Sequence, residues 1–136
     1  KAMREEFTSF DTDVGPASNA IATHPRAYGA FPRIFARYVR ELGVLSLEGA
    51  VQRASAVAAN EIGAYDRGRH APGLAADIVL FDPLRIRDRA TFAEPSLPSD
   101  GVSYVLVNGV VVFEAGKYTG AKPGIVLRGP GWDGRK

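Results

Sequence analysis

The chain has 136 residues, 46% of them hydrophobic, with 17 lysines and arginines against 15 aspartates and glutamates, a formal charge of +2 and no cysteine. That is enough apolar material for a folded domain with its own core, and it excludes disulfides, thiolate nucleophiles and sulfur-ligated zinc. Bases alternate with acids along both halves, which argues against a nucleic-acid partner, and no apolar run reaches the length of about 18 residues that reads as a membrane-spanning helix.

The first residues, KAMREEFTSF, are too charged to act as a secretory signal. Lys1 and Ala2 ahead of Met3 are compatible with a tag remnant, a processed product or a piece cut from a longer chain. Residues 7–10 (FTSF) read as a short strand that ends in the acids Asp11 and Asp13. Residues 16–28, rich in Pro, Ser, Asn, Thr and His, read as a loop long enough to be functional. Residues 31–42 place Phe31, Ile34, Phe35, Tyr38, Val39 and Leu42 at helical spacing with Arg33, Arg37, Arg40 and Glu41 opposite; Pro32 suits a first helical turn and Gly43 a stop. A second helix follows, capped by Ser46, striped by Leu47, Ala50, Val51, Ala54, Val57, Ala58 and Ile62, and ended by Gly63.

The period changes after residues 62–73. Ile78–Phe81 is an unbroken apolar run, the mark of a strand covered on both faces, and Pro83 stops it. RIRDRA, residues 85–90, reads as a solvated turn. Asn108 and Gly109, flanked by valines, predict a two-residue β-hairpin turn, because both central positions need positive φ. The glycine-rich tail RGPGWDGRK reads as frayed or draped over a neighbour. Two amphipathic helices with one strand want a further surface, so the first half resembles the end of a larger domain.

Several residues carry possible chemistry. Asp11 and Asp13 alternate on an extended segment and can face one side, where a carboxylate could take a proton from a metal-activated water; the bland alternative is a turn whose side chains bond backbone amides. His24 is either a substrate-side group or a packed loop histidine, and His70 reads as a surface residue. These two histidines, far apart in sequence, do not make a metal site, and Ser9, Ser18 and Thr23 near His24 lack the oriented base of a triad. Arg26 and Arg33 flank Tyr28 and Phe31; such guanidinium groups clamp a carboxylate or cap a helix start. No glycine-rich phosphate loop precedes a helix.

The stretch HPRAYGAFPRIFARYVRELGVLSLEGAVQRASAVAANEIG, with DRGRHAPGLAADIVLFDP, IRDRATF and VSYVLVNGVVV after it, resembles the C-terminal portion of the N-acyl-D-amino-acid deacylases, the D-aminoacylases of the amidohydrolase superfamily. The resemblance implies an α/β fold, a C-terminal fragment of a (β/α)8 TIM barrel plus part of a small β-sandwich. Residues 1–65 would be the last strand, at 7–11, and the closing helices, and residues 66–136 the C-terminal part of the sandwich. It implies Asp11 as general base and acid, with Asp13 as the shifted alternative, and Phe10 and Thr12 depart from the family's usual neighbours of that acid. It places His24, Arg26 and Tyr28 on the substrate side or next to it. Zn2+ is the implied cofactor, with ligands outside this chain, the implied partners are the N-terminal remainder of the same enzyme and an N-acyl-D-amino-acid substrate, and a cytoplasmic location is expected. The chain by itself would be an incomplete, inactive hydrolase; the rival expectation is a non-catalytic structural or assembly module derived from the same fold.

Overall fold

The computed structural model describes residues 1–14, 24–129 and 131–134, so residues 16–23 of the sequence-predicted loop lie outside the described residues. After a short 3-10 turn, Ala2–Arg4, come α1 (Arg26–Arg33), α2 (Leu47–Gln52), α3 (Ala58–Glu61), β1 (Ile78–Phe81), β2 (Val102–Val107), β3 (Val110–Glu114) and β4 (Lys117–Tyr118). α1 continues without a break into a π-wound stretch, Ile34–Glu41, and a shorter one, Arg53–Val57, joins α2 to α3.

The first helix starts earlier than the periodicity predicts, because Pro32 lies inside it and not in its first turn. An internal proline has no N–H to give the carbonyl four residues back, here that of Tyr28. The Ser99 hydroxyl donates to that carbonyl at 2.8 Å. A partner distant in sequence thus satisfies the acceptor that Pro32 orphans, and the helix passes through the proline. Gly43, at φ +56°, ends the helical run as expected. Ser46 caps the second helix, its Oγ accepting the Gly49 N–H at 3.0 Å, and Gly63 at φ +74° follows its end.

Residues 7–10 do not form the expected strand. A strand needs a neighbour for its ladder, and here the segment lies against the second helix: the Phe10 N–H donates to the Arg53 carbonyl at 3.3 Å, and the Arg53 guanidinium donates to the carbonyls of Arg4 and Glu5. Ser9 Oγ donates to Glu61.

The strands make one antiparallel sheet in the order β1-β2-β3-β4. The hairpin has the predicted register, Val107 opposite Val110, with Asn108 at φ +46° and Gly109 at φ +79°. Asp77 holds this tip: its Oδ1 accepts the Asn108 N–H at 2.8 Å while its Oδ2 accepts from Arg67 at 2.6 Å. β1 departs from expectation. It is an edge strand, with Val79 and Leu80 53% and 56% exposed, so its apolar run is not covered on both faces. Past β4, Arg128 stacks over the Trp132 ring at 4.8 Å.

Phe35, Leu45, Ala50 and Ile86 form the buried core, with Met3, Phe10, Val39, Phe81 and Val102 packed around it. Helical and strand segments share this core, and the Phe35 and Phe81 rings meet at 5.0 Å. Leu42, Val51 and Ile62 of the helical stripes are exposed in this chain. Among the described residues no helix is long and apolar enough to cross a membrane.

Candidate functional site

The candidate residues gather where the segment after Phe10 meets the start of α1. His24 and Pro25 lead directly into Arg26, the first residue of the helix. Pro25 provides no side-chain cap. The imidazole of His24 acts in its place, its Nδ1 accepting the Arg26 N–H at 3.1 Å. A ring accepting at Nδ1 carries its proton on Nε2 in the neutral form, so this contact sets both the tautomer and the ring's orientation.

Arg26 reaches from this turn to Asp13. Its Nη2 donates to the Asp13 carbonyl oxygen at 2.9 Å and lies 3.5 Å from Oδ2 of the carboxylate. Asp13 adopts φ +48°, a left-handed conformation that aspartate tolerates better than most residues. Both side chains are solvated, so the ion pair is weak and exchangeable. Asp11 is exposed, and its Oδ1 accepts the Thr12 N–H at 2.6 Å. The structure therefore brings together Asp13, Arg26 and His24. Asp11 is engaged by the amide of its neighbour Thr12, and Tyr28, half buried, enters through its backbone carbonyl.

Arg33 is not free to clamp a ligand, since Nη1 donates to Asp88 Oδ2 at 2.9 Å. That hydrogen bond, helped by the carboxylate charge, raises the Arg33 pKa above its ordinary value. The turn read as solvated is so only in its arginines: Ile86 is buried in the core, Asp88 is 18% exposed in its pair with Arg33, and Arg87 bonds Asp100 at 2.9 Å. His70 is exposed, as expected. A polar cleft lined by Arg40, Asp82, Arg85, Arg87 and Asp100 opens elsewhere on the surface and includes none of the candidate residues.

Sequence reasoning missed Phe92 and Ser99. Residues 88–99, from the strand-rich part of the chain, fold back onto α1, and Phe92 places its ring against His24. No periodicity marks this segment. Among the described residues no group of three or more His, Asp or Glu could hold a metal ion, so the residues present do not form a metal centre.

The model of the amidohydrolase family matches residues 8–113. Over 110 residues the chain is 47% identical to an N-acyl-D-glutamate deacylase of Alcaligenes xylosoxydans xylosoxydans, a match that covers 81% of this chain and 22% of that protein. A crystal structure of D-aminoacylase superposes with a TM-score of 0.70 at 42% identity, covering 72% of this chain and 21% of that one. The N-acyl-D-glutamate deacylase of Bordetella bronchiseptica, crystallised with zinc and a phosphonate mimic of the tetrahedral intermediate, superposes at 0.66 with 48% identity, covering 69% and 20%. The chain thus spans about a fifth of the length of the relatives it matches. With more than half its residues inside the family match, the chain belongs to the amidohydrolase family.

Proposed function

We propose that this chain is the C-terminal part of a metal-dependent N-acyl-D-amino-acid deacylase, inactive without its N-terminal polypeptide. The observation that supports this most is the 47% identity to an N-acyl-D-glutamate deacylase across 81% of the chain. In this reading residues 1–65 complete a (β/α)8 barrel, the segment 7–11 pairing as its last strand once a neighbouring strand is supplied, and residues 66–136 contribute to a β-sandwich. Barrel active sites collect at the C-terminal ends of strands, where Asp11 and Asp13 would then stand. Zn2+ belongs to polypeptide outside this chain, and the enzyme is cytoplasmic.

The reaction is amide hydrolysis. Water oxygen bonds to the acyl carbon, the C–N bond breaks, and a carboxylate and a D-amino acid leave. Asp11 takes the proton of the attacking water and delivers it to the departing nitrogen, with Asp13 as the alternative for that role. Arg26 receives the substrate carboxylate, and its weak pairing with Asp13 supports this, because an exchangeable carboxylate already lies within reach of the guanidinium. His24 and Tyr28 flank that position.

The test joins the chain to its N-terminal polypeptide and assays zinc-dependent deacylation. Asp11→Asn should lower kcat by roughly 10²–10⁴-fold, the usual range for a general acid–base group. Full activity in that variant would remove Asp11 from the role, and no deacylation by the assembled wild-type protein would overturn the proposal.

A further inference from the structure

Residues 88–99 form a strap with both ends fastened to α1. At one end Arg33 bonds Asp88 at 2.9 Å, and Gly29 lets the strap approach so closely that a Cβ there would lie 2.9 Å from the Cβ of Asp88. At the other end Ser99 bonds the Tyr28 carbonyl. Between them a turn closes on itself: the Glu94 N–H donates to Thr91 Oγ1 at 3.0 Å and the Thr91 N–H to the Glu94 carbonyl at 3.2 Å. Phe92 sits at the crest of this turn, 76% exposed. Its ring meets the imidazole of His24 edge to face, centroids 5.0 Å apart and planes 77° apart, the arrangement that aromatic quadrupoles favour.

We propose that Phe92 is a positioning residue for the candidate site: carried on a strap from the strand-rich part of the chain, it fixes the His24 ring and thereby the turn that aims Arg26. Phe92 restricts rotation of the imidazole, and the imidazole Nδ1 is the side-chain acceptor for the Arg26 N–H at the start of α1. The Arg26 guanidinium, anchored by that turn, reaches a carboxylate at the site. Without the ring, His24 can turn away, the first helical residue loses its cap, and the guanidinium is no longer held toward the carboxylate it binds. Because binding of the substrate carboxylate and not proton transfer depends on this chain of contacts, the effect falls on KM. The catalytic consequence rests on the deacylase reading above.

The experiment uses the assembled enzyme with Phe92→Ala, Phe92→Leu and Phe92→Tyr, the leucine variant keeping apolar bulk in case the alanine variant does not fold. Phe92→Leu should raise KM for an N-acyl-D-amino acid roughly two- to tenfold, the scale of one aromatic pair, with kcat within about twofold. Phe92→Tyr should restore the wild-type KM. Isotope-labelled histidine should show His24 ring-proton shifts in Phe92→Tyr that match the wild type and shifts in Phe92→Leu that do not. A wild-type KM in Phe92→Leu, or a fall confined to kcat, overturns the proposal. If the assembled wild-type enzyme is inert toward N-acyl-D-amino acids, the deacylase reading fails separately and magnetic resonance decides: His24 and Arg26 side-chain signals that move together in Phe92→Leu support positioning, and movement of His24 alone overturns it.

Discussion

The Ser99 hydroxyl donates to the Tyr28 carbonyl at 2.8 Å, and that carbonyl needs a donor because Pro32 stands where the helical N–H would be. Ser99→Ala should therefore destabilise the fold by about 1–2 kcal/mol, the cost of leaving a partly buried acceptor unpaired. In a Pro32→Ala background the restored N–H at position 32 takes over the carbonyl and the same serine change should cost less. Urea unfolding of the single and double variants measures this coupling, and equal costs in both backgrounds would dissociate Ser99 from the proline.

Gly101 faces the strand-to-turn backbone at Ile86. A Cβ there would overlap the Ile86 backbone nitrogen, and the residue holds φ +87°. Steric overlap and conformational strain add, so Gly101→Ala should cost more than about 3 kcal/mol. Gly116, at φ +81° with open space around it, should tolerate alanine at a cost of about 1–2 kcal/mol, from the backbone conformation alone. The difference between the two unfolding midpoints checks the claim.

Asp66 receives two hydrogen bonds from the Arg67 guanidinium, at 3.2 and 3.1 Å. Those bonds, ahead of the arginine's charge, hold its carboxyl below the ordinary value of 3.8, while desolvation works in the opposite direction. A carboxyl whose folded pKa is depressed contributes stability that is complete above its unfolded pKa and is lost as pH falls through the folded value. The difference in urea midpoint between wild type and Asp66→Ala should thus be present at neutral pH and vanish on acidification below the carboxylate range. A difference that persists or grows in acid would contradict this.

Asp11 and Asp13 can be separated by their kinetics in the assembled enzyme. If Asp11 moves the proton, Asp13→Asn leaves kcat within about threefold, while Asp11→Asn lowers it by orders of magnitude. The reverse pattern assigns the proton to Asp13, the acid that the structure places beside Arg26.

Some of the molecule was legible in order along the chain. Asn108 and Gly109 declare the hairpin because positive φ is a local backbone cost that few residues meet cheaply, and Ser46 declares a helix start because its hydroxyl reaches an amide within the same turn. The family resemblance likewise lay in contiguous stretches of residues. Other features depended on groups distant in sequence. Whether a helix can run through Pro32 depends on Ser99, whether residues 7–10 become a strand depends on a neighbour to pair with, and whether Ile78–Phe81 is covered depends on its place at the sheet edge. The site follows the same division: the sequence by itself supplied Asp11, Asp13, His24 and Arg26 as candidates, whereas tertiary folding chose Asp13 as the partner of Arg26 and set Phe92 against His24. The physical reason is that hydrogen bonds and ring contacts are decided by proximity in space, and periodicity along a chain reports only the neighbours within a turn or two.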